Sequence, residues 1–212
     1  RWTLSPSCFA TGAVVGGELC ASADWPTRVD VRGEQVSLAL LAPYLPERDG
    51  GGAWLLRGAV DLDAQVRPRG DGWAGTAQVR SAEGALTLDD RSRREVLGYT
   101  DLDLEATFDA NRLGVSLSGR LQPEGDVEAT LTTGWDAYAQ LDGRIRINTE
   151  SLTWLELFSP DIVEPRGRLD AAVTLSGTRA APVLGGNGQL SAFTADMPAL
   201  GITLRDGDVR ME

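Results

Sequence analysis

Apolar residues fall on every second position through long stretches of this chain, with polar ones between them. The runs are Val60, Leu62, Ala64 and Val66, then Trp73, Ala77 and Val79, then Leu86 and Leu88, then Leu102, Leu104, Ala106 and Phe108. They continue through Leu113, Val115, Leu117 and Leu121, through Val127, Ala129 and Leu131, and through Leu141, Ile145 and Ile147 to Leu169, Ala171, Val173 and Leu175. The intervening positions hold Asp61, Asp63, Asp101, Asp103, Glu105, Asp126, Glu128, Arg144 and Arg146, and no charge falls on the apolar side of any run. A period of two is that of a strand whose side chains alternate between faces. Gly, Asp, Asn or Pro punctuates the runs, so the pattern predicts many short strands, each with one greasy face. What that face touches is the question. The choices are a second sheet of the same protein, a partner chain, or a ligand made of hydrocarbon.

Two segments break the alternation. SLALLAPYLPE, Ser37 to Glu47, and SLTWLELFSP, Ser151 to Pro160, each start with a Ser suited to cap a helix, place large apolar residues at helical spacing and run into Pro. Both predict helices of one or two turns that cover an open end or edge of the sheet, since exposed edges invite unwanted pairing. Each is followed by a loop, a Gly and a similar strand, LLRGAVDLDAQV in one case and EPRGRLDAAVTL in the other. Residues 37–66 and 151–175 thus read as a divergent internal repeat with a period of about 110 residues, far longer than solenoid periods. The expected organisation is one elongated segment over 1–212. Both ends read as strands cut mid-phrase, as in a piece of a longer chain.

Charge and composition narrow the chemistry. The chain has 20 basic residues, all Arg, against 31 acidic ones, and its net charge of −11 argues against nucleic acid or anionic lipid headgroups as partners held by bulk charge. With no His and two Cys, the common zinc sites and the Ser/His/Asp and Cys/His catalytic arrangements cannot be assembled. No metal or cofactor is expected and the chain does not read as an enzyme. The Asp pairs at 61/63 and 101/103 lack the remainder of a calcium loop and read as a solvated face. Gly185 to Gly188, GGNG, reads as a turn. The six Trp, at 2, 25, 54, 73, 135 and 154, read as scattered core or rim residues. Cys8 and Cys20 flank Gly16 and Gly17 and would face each other across a hairpin. They form either a disulfide, which implies an oxidising compartment, or two buried thiols. The apolar faces could pack as an ordinary sandwich about 10 Å thick, or stay open as a trough larger than a monomer leaves wet.

From Gly167 to Glu212 the order GRLDAAVTLSGTRAAPVLGG, followed by Pro198, Gly201, Ile202, Leu204 and Asp206, closely resembles the TamB family. Cys8, Leu19, Cys20, Trp25, the Leu-rich helix and Gly58 extend the resemblance over nearly the whole chain. It implies a periplasmic protein of Gram-negative bacteria, anchored in the inner membrane by a segment outside this sequence. The implied fold is all-β, with an antiparallel or mixed sheet curled into an open U around an apolar groove. The implied roles are carriage of phospholipid between the two membranes and assistance to outer-membrane protein assembly with a TamA-like barrel partner. The residues expected to line the groove against acyl chains are Val60, Leu62, Val66, Leu102, Leu104, Phe108, Val115, Leu117, Leu131, Ile145, Ile147, Leu169, Val173 and Leu175. The alternative is a scaffold that pairs client β-strands with its own edge during autotransporter assembly.

Overall fold

A computed structural model describes residues 1–11, 16–45, 53–70, 72–89, 95–157 and 162–211. Twelve strands form one antiparallel sheet in simple chain order, each hydrogen-bonded to the next, with no closure into a barrel. They are β1 Trp2–Ala10, β2 Glu18–Trp25, β3 Arg28–Ser37, β4 Ala53–Arg69, β5 Gly72–Asp89 and β6 Glu95–Asp109. Then follow β7 Arg112–Gln122, β8 Gly125–Thr133, β9 Asp142–Ser151, β10 Val163–Thr178, β11 Ala181–Met197 and β12 Ile202–Met211. Every described pair is antiparallel, as expected where consecutive strands are joined by short connections. No second sheet exists among the described residues, so the packed-sandwich alternative is overturned. The accessible surface of 13572 Å² exceeds the roughly 9,500 Å² of a compact globule of this mass.

The two rims of the sheet differ. On one, the turn rim, lie the connections β2–β3, β4–β5, β6–β7, β8–β9 and β10–β11. The opposite, helical rim carries three short 3-10 helices, Leu38–Tyr44, Thr153–Leu157 and Pro198–Leu200. The first two fall where the helical spacing predicts them, and the Ser37 hydroxyl accepts the Ala39 N–H at 3.3 Å. Ser151 does not cap its helix in this way, because its hydroxyl is taken by that of Thr153 at 3.0 Å. Pro43 inside the first helix removes an amide donor, and five residues are too few for a stable α-helix in the second.

Bulges cluster near the helical rim. Register breaks occur between Gly33 and Val36, Gly58 and Asp61, Thr100 and Asp103, Arg166 and Arg168, and Leu190 and Phe193. Gln35, Asp101, Glu164 and Ala192 take left-handed φ values of 49° to 52° at or beside these breaks. Such bulges bend a strand and raise its twist. They recur on strand after strand on the helical-rim side of the sheet. The buried Ser81 hydroxyl fills one break, donating to the Ala59 carbonyl at 2.7 Å and lying 3.0 Å from the Tyr99 hydroxyl.

The buried core sits under the helical rim in two clusters. Trp54, Leu86, Leu88 and Val96 form one, with Leu45 from beyond the first helix packed on it. Leu152, Phe193 and Ala195 form the other, with Trp154 and Leu155 of the second helix. That helix also bridges strands: Thr153 donates to the Val96 carbonyl of β6 at 2.6 Å, and buried Glu156 accepts the Glu164 N–H of β10 at 3.1 Å. The connection between β9 and β10 therefore reaches back over the short β7–β8 hairpin to β6.

The GGNG run is not a turn; it lies within β11. Gly186 has φ 135° and pairs with Val173, and a Cβ there would collide with the Ala172 carbonyl oxygen. The glycines permit a close backbone approach inside a strand rather than a reversal of the chain.

Candidate functional site: an apolar lane across eleven strands

In an antiparallel sheet, directly paired residues share a face. Following the pairs from strand to strand gives one unbroken row: Phe9, Leu19, Gly33, Leu62, Val79, Leu104, Leu117, Ala129, Ile145, Val173 and Gly186. A second row runs beside it through Ala21, Val31, Ala64, Ala77, Ala106, Val115, Leu131, Gly143, Leu175 and Leu184. Neither row contains a polar side chain. Val29, Val66, Gly75, Phe108 and Leu113 make a third on the turn-rim side. Ile147 pairs with Val127 and Ala171 on the helical-rim side, and Leu102 stands over Gly119 of the neighbouring strand. Val60 pairs with Val36, and Leu169 with Leu190.

All fourteen residues expected to line a groove therefore lie on one face of one sheet. None of them is fully buried, and Ile145 is 36% exposed. A wall packed on a second layer would bury these side chains; this one is left half-open.

The reverse face is charged and carries cross-strand ion pairs. Arg32 pairs with Asp63 at 3.1 Å, Arg80 with Asp103 at 2.9 Å and Arg120 with Asp101 at 3.6 Å, all well exposed. Asp61 accepts the Gln35 N–H at 2.8 Å. The carboxylates at 61/63 and 101/103 are thus each engaged within the sheet, as the solvated-face reading requires. At the first edge Arg1 holds the Asp24 carboxyl below its usual range, through a hydrogen bond reinforced by its charge.

Cys8 and Cys20 are opposite each other in the β1–β2 ladder and are joined as a disulfide. Cys20 pairs in turn with Arg32, which places the bridge on the charged face and leaves the apolar lane untouched. The one group of potential metal ligands among the described residues, Cys8, Glu18 and Cys20, has both thiols committed to that bridge. The bridge closes a loop with a sequence separation of 12. Its removal by Cys8→Ser with Cys20→Ser is expected to cost about 3 kcal/mol, by chain-entropy scaling. Denaturant unfolding with and without reductant checks this, and an unchanged midpoint would contradict it.

The tryptophans are not scattered. Trp2 stacks on Trp25 at 5.9 Å, Trp25 meets Trp73 at 6.0 Å, and Trp135 stacks on Phe108 at 6.1 Å. Trp135 lies across the turn-rim ends of β5 and β6, where a Cβ on Gly72 would collide with its indole, and its Nε1 donates to the Asp109 carbonyl at 2.8 Å. Four of the six Trp thus mark the turn rim, while Trp54 and Trp154 belong to the clusters of the helical rim. Spacing along the chain conceals this, because positions 2, 25, 73 and 135 become neighbours only when successive hairpins bring alternate strand ends to the same rim.

No described helix is long and apolar enough to cross a membrane. No curated protein and no solved structure matches the chain. Residues 2–190 match the family described as TamB, N-terminal domain. That span is well over half of the 212 residues and contains the whole of the apolar lane. The chain belongs to the TamB family of Gram-negative envelope proteins.

Proposed function

We propose that this sheet is a non-enzymatic stretch of conduit that carries phospholipid between the inner and outer membranes, its acyl chains lying in the apolar lane. The observation that carries the reading is the unbroken row from Phe9 to Gly186, open on one side and free of polar side chains. At about 4.8 Å per strand the row is about 48 Å long. Half of a bilayer's hydrocarbon core is about 15 Å thick, so acyl chains can follow one another along the row. Val60, Leu62, Val66, Leu102, Leu104, Phe108, Val115, Leu117, Leu131, Ile145, Ile147, Leu169, Val173 and Leu175 form the wall they touch. Family membership favours a periplasmic location with an inner-membrane anchor elsewhere in the full-length protein, and a TamA-like barrel as the outer-membrane partner. In this reading residues 1–212 are one elongated unit in which 37–66 and 151–175 are related repeats.

A second reading, pairing of client strands, draws on one asymmetry. β1 carries Pro6 and a register break between Leu4 and Ser7, both of which blunt an edge. At the opposite edge β12 pairs with β11 from Gly188 to Met197, and no described residue pairs with that side of Ala181 to Asn187.

Native mass spectrometry of the protein purified without detergent distinguishes the two. Phospholipid held at defined stoichiometry supports the conduit. Lipid-free protein that takes up none from vesicles, yet captures an extended peptide, would replace it with the strand-pairing reading.

A further inference from the structure

We infer that the Cys8–Cys20 bridge is a redox catch: its reduction by a dithiol lets β1 leave the sheet and bares the pairing edge of β2. The inference does not depend on what the lane carries. β1 is the outermost strand at its end of the sheet and has a neighbour on one side alone. None of its residues is buried, and Ser7 is its one half-buried position. A strand that buries so little is held by its fasteners rather than by packing.

Those fasteners stand on either side of a gap. Ser5 and Pro6 fall in the register break between Leu4 and Ser7, so the ladder of β1 with β2 is split in two. On the turn-rim side Trp2 stacks on Trp25 at 5.9 Å, and Arg1 pairs with Asp24 at 3.0 Å in an exposed ion pair. Such ion pairs contribute little. On the other side Ser7, Cys8, Phe9 and Ala10 pair with Ala21, Cys20, Leu19 and Glu18, and the bridge is the covalent tie among them. β2 is anchored differently: seven consecutive pairs, from Glu18–Glu34 to Asp24–Arg28, join it to β3 without a break. Loss of β1 therefore leaves β2 in place.

The bridge is open to a reductant. Cys8 is exposed, and both cysteines line a shallow hollow together with Pro6, Arg28, Asp30 and Arg32. Attack by one thiolate of a dithiol on the Cys8 sulfur expels Cys20 as a thiolate, and Arg32, its partner in the ladder, is a cation of the kind that favours it. The second thiol of the reductant then breaks the mixed disulfide and releases Cys8. Two electrons pass to the bridge, the two protons of the dithiol pass to the cysteines, and the dithiol becomes a disulfide. When β1 leaves, Phe9 goes with it. The apolar row then starts at Leu19, and the N–H and C=O groups of β2 that faced β1 become a free edge.

Hydrogen exchange tests the catch on the protein with the bridge intact, with the bridge reduced by dithiothreitol, and with Cys8→Ser and Cys20→Ser combined. Exchange across Ser7 to Ala10 should rise about a hundredfold on reduction, the factor expected from losing a cross-link over a loop of this length. The double variant should match the reduced protein with no reductant present. Amides of Leu62, Val79 and Leu104, in the central strands, should keep their rates. Cleavage by chymotrypsin after Phe9 should accelerate by a similar factor, since it follows the population of the opened strand. Unchanged exchange in β1, a rise of the same size in the central strands, or a bridge that dithiothreitol leaves intact in the folded protein would each overturn the inference. No lipid enters these measurements, so the conduit reading stands or falls separately.

Discussion

Leu104→Arg and Ile145→Arg, each made singly, are expected to leave the sheet folded and to strip it of phospholipid. Both residues lie in the central row, linked through Leu117 and Ala129. Neither is fully buried, and Ile145 is 36% exposed. A guanidinium placed there can bend toward the open side and stay hydrated. In a sealed core the same charge would cost several kcal/mol, a large share of a total stability of about 5–15 kcal/mol. An acyl chain in the lane has no such escape, because an arginine amid hydrocarbon costs about 2.5–3.5 kcal/mol, which corresponds to roughly a hundredfold loss of binding. Ser116→Arg is the control: it lies on the reverse face opposite Glu105 and should change neither quantity. Thermal unfolding and lipid content by mass spectrometry decide the matter. Folded variants with full lipid would exclude the lane as the binding surface, and unfolded variants would show that the wall is sealed after all.

Leu88→Ala and Leu152→Ala should each cost about 3–5 kcal/mol, the range for emptying a fully packed leucine site. Both side chains are 1% exposed, in separate clusters beneath the helical rim. For a chain of this size such a loss lowers the melting temperature by about 10 °C. Leu117→Ala on the half-open wall removes the same atoms yet should cost less than half as much, since solvent already occupies part of its surroundings. Calorimetry on the three variants tests whether stability is concentrated under the helices while the lane contributes little. Equal losses at all three positions would contradict that division.

Such a division suits a carrier. Groups that fold the protein are covered by its own side chains, and groups that meet a ligand are left partly wet. A large apolar surface in contact with water is costly for a monomer, and the proposed lipid would bury it.

Much of this is legible in the sequence. Strict alternation from Val60 to Val66 and from Leu169 to Leu175 specifies strands and the residues that share a face, because the strand period of two leaves no other arrangement. The Cys8–Cys20 hairpin was readable from turn residues, the Ser37 helix from its cap and Pro43, and the Ser151 helix from its helical spacing, signals that act within a few residues of themselves. The GGNG run was misread by the same local logic. Gly marks turns and close approaches alike, and Gly186 was needed against Ala172, a neighbour that appears only when β10 and β11 pair.

The sequence by itself determined most of the strands, their greasy and charged faces and the family, since each depends on spacing along the chain, and it left Cys8 and Cys20 as either a disulfide or two thiols. Only the tertiary structure decided that one sheet stays open instead of two sheets packing, because that turns on whether anything in the chain covers the apolar face. It also decided that Trp2, Trp25, Trp73 and Trp135 meet at one rim, and that Thr153 reaches Val96 across the β7–β8 hairpin. Those contacts join residues tens of positions apart, and they exist only after hairpins have stacked in register and bulges at Gln35, Asp101 and Ala192 have bent the sheet.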